Sequence, residues 1–93
     1  MKELPVPPVV RTDTRARELA RVWAAHGEQH VSLDVSAWPD PGAWGLLLVD
    51  LAHHVANAYA DSQGLDASEV LVRIREAFEV EMDCPTGTSS NDD

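Results

Sequence analysis

The stretch PGAWGLLLVDLAHHVANAYAD, Pro41 to Asp61, predicts a helix of about five turns around which the rest of the chain is organised. Asp40 suits the N-cap because its carboxylate accepts hydrogen bonds from first-turn N–H groups, and Pro41 suits the first helical position. Gly64 is suited to ending the helix. One face is a continuous apolar stripe, which we expect to face the core: Trp44, Leu47, Leu48, Leu51, Val55, Ala58 and Tyr59.

The remaining sides of this helix are of two kinds. Leu46 and Val49 make its first half apolar almost all round, and such a helix is usually covered on two sides. A polar line runs down one flank and consists of Asp50, His54, Asn57 and Asp61. Asp and His one turn apart can ligate a metal ion or orient a general base. The same pattern is also typical of a solvated helix flank, which is the simpler interpretation.

The chain as a whole predicts an α+β fold: three helices, one short strand region and a long central helix in a small single domain. Residues 1–11 contain three prolines and are expected to form an extended arm. Residues 12–84 form the domain, and residues 85–93 are expected to be a disordered acidic tail because they lack apolar side chains.

Two further helices are predicted on either side of the central one. The first is expected from Asp13 to Ala25, with Gly27 ending it. The third begins at Asp66, and Glu69 follows at the spacing of a capping box.

One segment alternates as a strand does. From Gln29 to Val35, the apolar side chains Val31, Leu33 and Val35 alternate with polar ones, which predicts a half-buried strand. Buried backbone groups need partners. The partner is expected to be the Pro-rich arm, an irregular segment, or the same strand of a second molecule.

Composition limits the possible functions. The net charge of −9 argues against a nucleic-acid partner, because phosphate binding needs clustered Lys and Arg. No apolar run approaches the ~18 residues of a membrane span, and no apolar run follows Lys2 as a signal peptide requires. The single Cys84 cannot form an internal disulfide, and no zinc-binding spacing or phosphate loop is present. We therefore expect a cytoplasmic protein without a metal, a cofactor or a membrane partner.

The motifs HVSL, DPGAWG and DLAHHVA, followed by VLVRIREAFEVE, occur here in that order. With them the chain resembles a bacterial family, domain of unknown function 5076, from ELPVPP to CPT. The resemblance implies a small bacterial cytosolic protein, and it carries no catalytic residue over to this sequence.

Three functions remain open at this point. The first is a non-enzymatic interaction module acting as a homodimer, with Leu46, Val49, Val31 and Leu33 as the candidate interface and a further protein partner possible. The second is a metal-dependent or general-base enzyme that uses Asp50, His54 and Asp61. The third is an adaptor that binds a basic partner through the acidic residues of the third helix, Glu69, Glu76, Glu79 and Glu81.

Overall fold

The computed structural model describes residues 2–84 and confirms the α+β fold of a small domain. Contacts between residues divide the chain into two units, Met1–Asp40 and Pro41–Asp93. The first unit holds a short helix, a β-hairpin and a 3-10 turn, and the second holds two long helices. The predicted acidic tail, 85–93, lies outside the described residues.

The first unit contains a β-hairpin where the sequence predicted a helix. Strand β1 spans Ala20–Ala25 and pairs antiparallel with β2, Glu28–Leu33, so that Val22 lies opposite Val31. The helix predicted over residues 13–25 is therefore wrong. The partner predicted for the second strand is also wrong, because the pairing segment directly precedes it in the chain.

A two-residue turn explains the hairpin. His26 and Gly27 connect the strands, and both have positive φ, 53° and 74°. Two consecutive residues with positive φ are characteristic of the type I′ turn, whose twist matches that of the flanking strands. Gly27 takes this conformation without a steric cost, so it makes a hairpin turn rather than the helix end that the sequence predicted.

The Pro-rich arm is only partly extended. Helix α1 spans Pro8–Thr12, so the prediction of an extended arm over residues 1–11 is wrong for its last part. A proline at the first helical position is compatible with a helix because the first turn needs no N–H donor. The Thr12 hydroxyl donates a hydrogen bond to the Val9 carbonyl at 3.0 Å.

The second unit is a helical hairpin. Helix α2 spans Gly42–Gln63 and helix α3 spans Ala67–Asp83. Gly64 ends α2 with φ of 69°, and its N–H donates to the Ala60 carbonyl at 3.0 Å, as predicted for a glycine stop. The three-residue connection makes the two helices antiparallel neighbours.

The helix N-termini agree with the sequence prediction in one case and differ in the other. The Asp66 carboxylate caps α3 by accepting hydrogen bonds from the Ser68 N–H at 2.9 Å and the Ser68 hydroxyl at 2.7 Å. At α2 the capping position is Pro41, one residue later than the predicted Asp40, and the helix begins at Gly42. Proline has no side-chain acceptor, so this helix start is not capped by that residue's side chain.

Little of the described chain is buried. Ala56, which is 2 % exposed, is the only buried residue among 2–84. It lies on α2, the helix that packs against α3. The stripe predicted to face the core is not the buried side of α2, because its members Leu48, Leu51 and Tyr59 remain between two fifths and about one half exposed.

Candidate interaction surfaces

The apolar stripe of α2 is the longest uncovered apolar surface on this helix. Leu48, Leu51, Val55 and Tyr59 succeed one another at spacings of three and four residues, and each is more than one third exposed. Helix α3 leaves them exposed, although Leu48 lies at the edge of the groove between the two helices, and the side chain that is buried on α2 is Ala56, on another side. Single exposed apolar residues are ordinary, whereas a contiguous patch indicates a contact surface.

A groove runs along the seam between α2 and α3. It has a volume of about 440 Å³ and is mainly apolar, with a wall from each helix: Gly45, Leu48, Val49, Ala52 and His53 from α2, and Leu71, Ile74, Arg75, Phe78 and Glu79 from α3. The polar members of α3 bind each other, because Arg75 Nε donates to Glu79 Oε1 at 3.1 Å. The groove is therefore mainly apolar, with His53 on the α2 wall and the Arg75–Glu79 pair on the α3 wall.

The four residues of the candidate interface are all exposed. Leu46 and Val49 lie on α2 and Val31 and Leu33 on β2, and every one is more than half exposed. Only Val49 also lines the groove. The predicted pair on α2 is thus divided, with one member at the seam and the other outside it.

The hairpin of the first unit also has an open apolar face. The register places Val22 opposite Val31 and Ala20 opposite Leu33, and alternation puts these four side chains on one face. Val22, Val31 and Leu33 are each more than half exposed. A two-stranded hairpin with an uncovered apolar face is only marginally stable by itself.

A polar cluster joins the segment before β1 to the segment after β2. The carboxylate of Asp34 accepts hydrogen bonds from Arg17 through Nε at 3.0 Å and through Nη2, and from Ser36 through its N–H at 3.2 Å and its hydroxyl at 2.6 Å. The Ser36 hydroxyl bond, followed by the Arg17 bonds, lowers the pKa of Asp34 below its usual 3.8. The cluster has no local signature in the sequence because Arg17 and Asp34 are 17 residues apart.

A second ion pair lies at the beginning of β1. Arg21 Nε donates to both carboxylate oxygens of Glu18 at 2.8 Å, and this bond raises the pKa of Arg21. Glu18 and Arg21 line a shallow depression of about 210 Å³ that Ser32 and Asp34 border from the other side. Because both charges are paired with each other and exposed, the depression offers no unbalanced charge to a ligand.

The candidate polar flank is a line of exposed side chains on α2. Asp50, His54, Asn57 and Asp61 are all exposed, and none of them lines the groove between the helices. Among residues 2–84, no group of three or more His, Cys, Asp or Glu side chains is placed to hold a metal ion. The flank is therefore arranged as a solvated helix surface rather than as a converging site.

The acidic residues of α3 are likewise distributed over an exposed surface. Glu69, Glu76 and Glu79 are exposed, and Glu79 is bound by Arg75 one turn earlier. Exposed ion pairs of this kind contribute little to stability because water screens them.

No helix within the described part of the chain is long and apolar enough to cross a membrane.

Comparison with known proteins identifies a family for this chain. The family model described as "Domain of unknown function (DUF5076)" matches residues 3–86, which confirms the resemblance drawn from the HVSL, DPGAWG and DLAHHVA motifs. No curated protein matches this chain.

A solved structure is similar along the whole chain. It is described as "Structure of a putative pyruvate dehydrogenase from the photosynthetic bacterium Rhodopseudomonas palustrus CGA009". It shares 36% sequence identity and a TM-score of 0.78, and the match covers 100% of this chain and 95% of that one. The similarity therefore extends to both units.

Proposed function

We propose that this chain, which belongs to the family described as Domain of unknown function (DUF5076), acts as a non-enzymatic interaction module in the form of a homodimer. The observation that carries the proposal is the burial pattern. Ala56 is the only buried residue among 2–84, while large apolar side chains of both units remain exposed. A chain with this distribution gains most of its hydrophobic stabilisation from a surface that it meets outside each unit.

Each unit supports the proposal separately. The first unit's sheet has two strands, and an isolated two-stranded hairpin is marginally stable in water. The second unit is a pair of helices, and most of the stability of protein helices comes from packing of their apolar faces. Without covered apolar faces, neither unit has the two packed layers around a core that a stable domain requires.

Homodimerisation is the simplest way to cover the exposed apolar faces, because it needs no partner other than a second copy of the chain. A two-fold contact brings the same apolar patch of two copies together, and it is the commonest symmetry of soluble oligomers. Oligomerisation is one of the usual means by which chains of this size reach stability. The proposal also places the module in the cytoplasm, where a single exposed cysteine such as Cys84 stays reduced.

The enzymatic alternative has weaker support. Asp50, His54 and Asp61 have a spacing compatible with catalysis or metal binding, but their side chains are exposed on one helix. The description "putative pyruvate dehydrogenase" belongs to the solved relative, and a shared fold does not by itself fix a reaction.

The test is the mass of the full chain in solution. Light scattering coupled to size exclusion, run from low to high micromolar concentration, is expected to give twice the chain mass of 10.2 kDa at the upper end. Circular dichroism on the same samples reports whether helix content rises with association, as expected when burial is completed by the second copy. A folded monomer at every concentration contradicts the proposal.

A further inference from the structure

We infer that the second copy is bound through one specific surface, the open face of the helical hairpin, and that two hairpins form an intermolecular four-helix bundle. This inference rests on the proposed homodimer and names its contact. The open face is defined here as Leu48, Leu51, Val55 and Tyr59 of α2 together with Ile74 and Ala77 of α3.

Helix geometry places these residues on one side of the hairpin. With Ala56 marking the side of α2 that is buried, the four α2 residues lie about 60–140° to one side of it at 100° per residue. On α3, Ile74 and Ala77 lie about 60–120° to the corresponding side of Leu71, a seam residue. Because the helices are antiparallel, these two directions point to the same side of the pair.

The other side of the hairpin is mainly polar. Leu46 lies about 80° from Ala56 in the opposite direction, and its neighbours on that side are Asp50, His53 and Asn57. On α3, that side carries Arg75 and Glu79, which bind each other, and the exposed Val72. The predicted patch at Leu46 therefore has mainly polar neighbours and one apolar residue across the hairpin, whereas the open face is continuous across two helices.

The open face has the spacing of a helix–helix seam. Leu48, Leu51 and Val55 follow each other at three and four residues, the spacing of the a and d positions in bundles and coiled coils. A four-helix bundle is built from such faces, with neighbouring helices packed nearly parallel or antiparallel. The helical hairpin supplies two of the four helices, and a second copy supplies the other two.

The size of the open face fits a stable dimer. Helix α3 has 17 residues and is about 25 Å long, and two packed helices present a face about 20 Å wide. The projected area is on the order of 500 Å², and interlocking ridges have more accessible surface than their projection. This is comparable to the ~800 Å² that each partner buries in a specific interface.

Charge also directs the copies to this face. Residues 41–84 contain eight acidic and two basic residues, a net charge of −6. None of the six residues of the open face is charged. Two like-charged hairpins meet with least repulsion through the side that carries the fewest acidic residues, and on the open-face side of α3 the acidic residue is Glu81, one turn beyond Ala77.

A matched pair of substitutions tests the inference. Leu51→Glu changes the open face and Leu46→Glu changes the polar side, with the same replacement on the same helix; Leu51 is 52% exposed and Leu46 is 74% exposed. In the full chain, Leu51→Glu is expected to raise the dimer dissociation constant about 100-fold or more, because it desolvates an unpaired charge. Leu46→Glu is expected to leave that constant within about threefold of wild type, since an exposed side chain keeps its water.

Cross-linking keeps the test decisive if Leu51→Glu does not fold. In a Cys84→Ser background, single-cysteine variants Val55→Cys and Ala77→Cys are mixed and oxidised above the dimer dissociation constant, with Leu46→Cys and Val72→Cys as controls. Covalent dimers are expected from the open-face pair and not from the control pair.

The outcomes separate the two proposals. A wild-type chain that stays monomeric, whether its apolar faces are covered by its own other unit or by a different protein, overturns the homodimer and the bundle together. A wild-type dimer that is weakened by Leu46→Glu but not by Leu51→Glu, or that cross-links only through residues 46 and 72, overturns the bundle and leaves the homodimer standing.

Discussion

The guanidinium of Arg17 donates two hydrogen bonds, from Nε and Nη2, to a single carboxylate oxygen of Asp34, Oδ2. The other oxygen, Oδ1, accepts from the Ser36 N–H and hydroxyl. The Asp34 N–H in turn donates to the Leu19 carbonyl at 2.9 Å. Asp34, which directly follows β2, is therefore joined to the segment before β1 twice, through its side chain to Arg17 and through its backbone to Leu19.

Replacing Asp34 by Ala is expected to loosen the hairpin. The change removes the acceptor for both Arg17 and Ser36. The strand register is then fixed only by the turn and by the backbone hydrogen bonds between the two strands. Hydrogen exchange of the β1 and β2 amides is expected to become faster, while the amides of α2 and α3 keep their protection. Glu28→Ala, at the other end of β2, is the control and is expected to change exchange much less. Equal effects of the two variants would show that the Asp34 cluster does not hold the hairpin.

Acidification is expected to destabilise both units, because each contains one carboxylate whose pKa is lowered in the folded state. Hydrogen bonds from Ser36 and then Arg17 lower the pKa of Asp34, and hydrogen bonds from Ser68 lower the pKa of Asp66, each below the ordinary 3.8. A lowered folded-state pKa means that stability is fully present above pH 3.8 and is lost as pH falls through the folded value. Urea unfolding between pH 6 and pH 2 measures this loss.

The pH test has a matched variant. Asp66→Asn keeps an N-cap acceptor but does not titrate, so its stability is expected to fall less steeply below pH 3.8 than that of wild type. An identical slope in the two proteins would contradict a contribution from the Asp66 carboxylate.

Two glycine substitutions are expected to have opposite signs. Gly27→Ala places a Cβ at φ of 74°, where a non-glycine residue is destabilised by about 1–2 kcal/mol. Gly45→Ala lies within α2, where the added Cβ would have no atom within 4 Å besides those of its adjacent residues and of the helix's own backbone, and alanine favours a helix by about 1 kcal/mol over glycine. Thermal unfolding of the two variants is the measurement. A stabilising Gly27→Ala would contradict the type I′ turn.

Salt is expected to strengthen the homodimer. Each copy carries a net charge of −9, and the proposed contact contains no charged residue, so screening reduces repulsion without weakening the contact. Sedimentation equilibrium at about 0.05 M and about 0.5 M sodium chloride is expected to show a lower dissociation constant at the higher salt. Dimerisation that weakens with salt would indicate a contact between opposite charges instead, which is how an acidic face binds a basic partner.

The helical hairpin could be read from the sequence because its signals are local. Gly64 ends α2 and Asp66 caps α3, and both act through hydrogen bonds within a few residues of themselves. The apolar spacing of each helix is likewise set by residues one or two turns apart. These features gave the correct number, order and type of the two long helices, and the α2 start was misplaced by one residue.

The β-hairpin could not be read in the same way. Residues 13–25 contain four Ala and three Arg, which favour a helix, yet Ala20–Ala25 pairs as a strand. Pairing with a neighbouring segment overrode local propensity, as β-structure often does. The available signal was the His26–Gly27 pair between two segments, a two-residue turn that the sequence analysis interpreted as a helix end.

The apolar side chains of α2, the glycine that ends this helix and the net charge of the chain all follow from the amino-acid sequence. Which of those apolar side chains are covered depends on how the helices pack. Ala56 is buried and Leu51 is half exposed, although both belong to apolar sides of one helix. Periodicity places residues on faces of a helix, but the direction from which the next helix packs depends on the connection and on side-chain size, and a small alanine allows the closest approach.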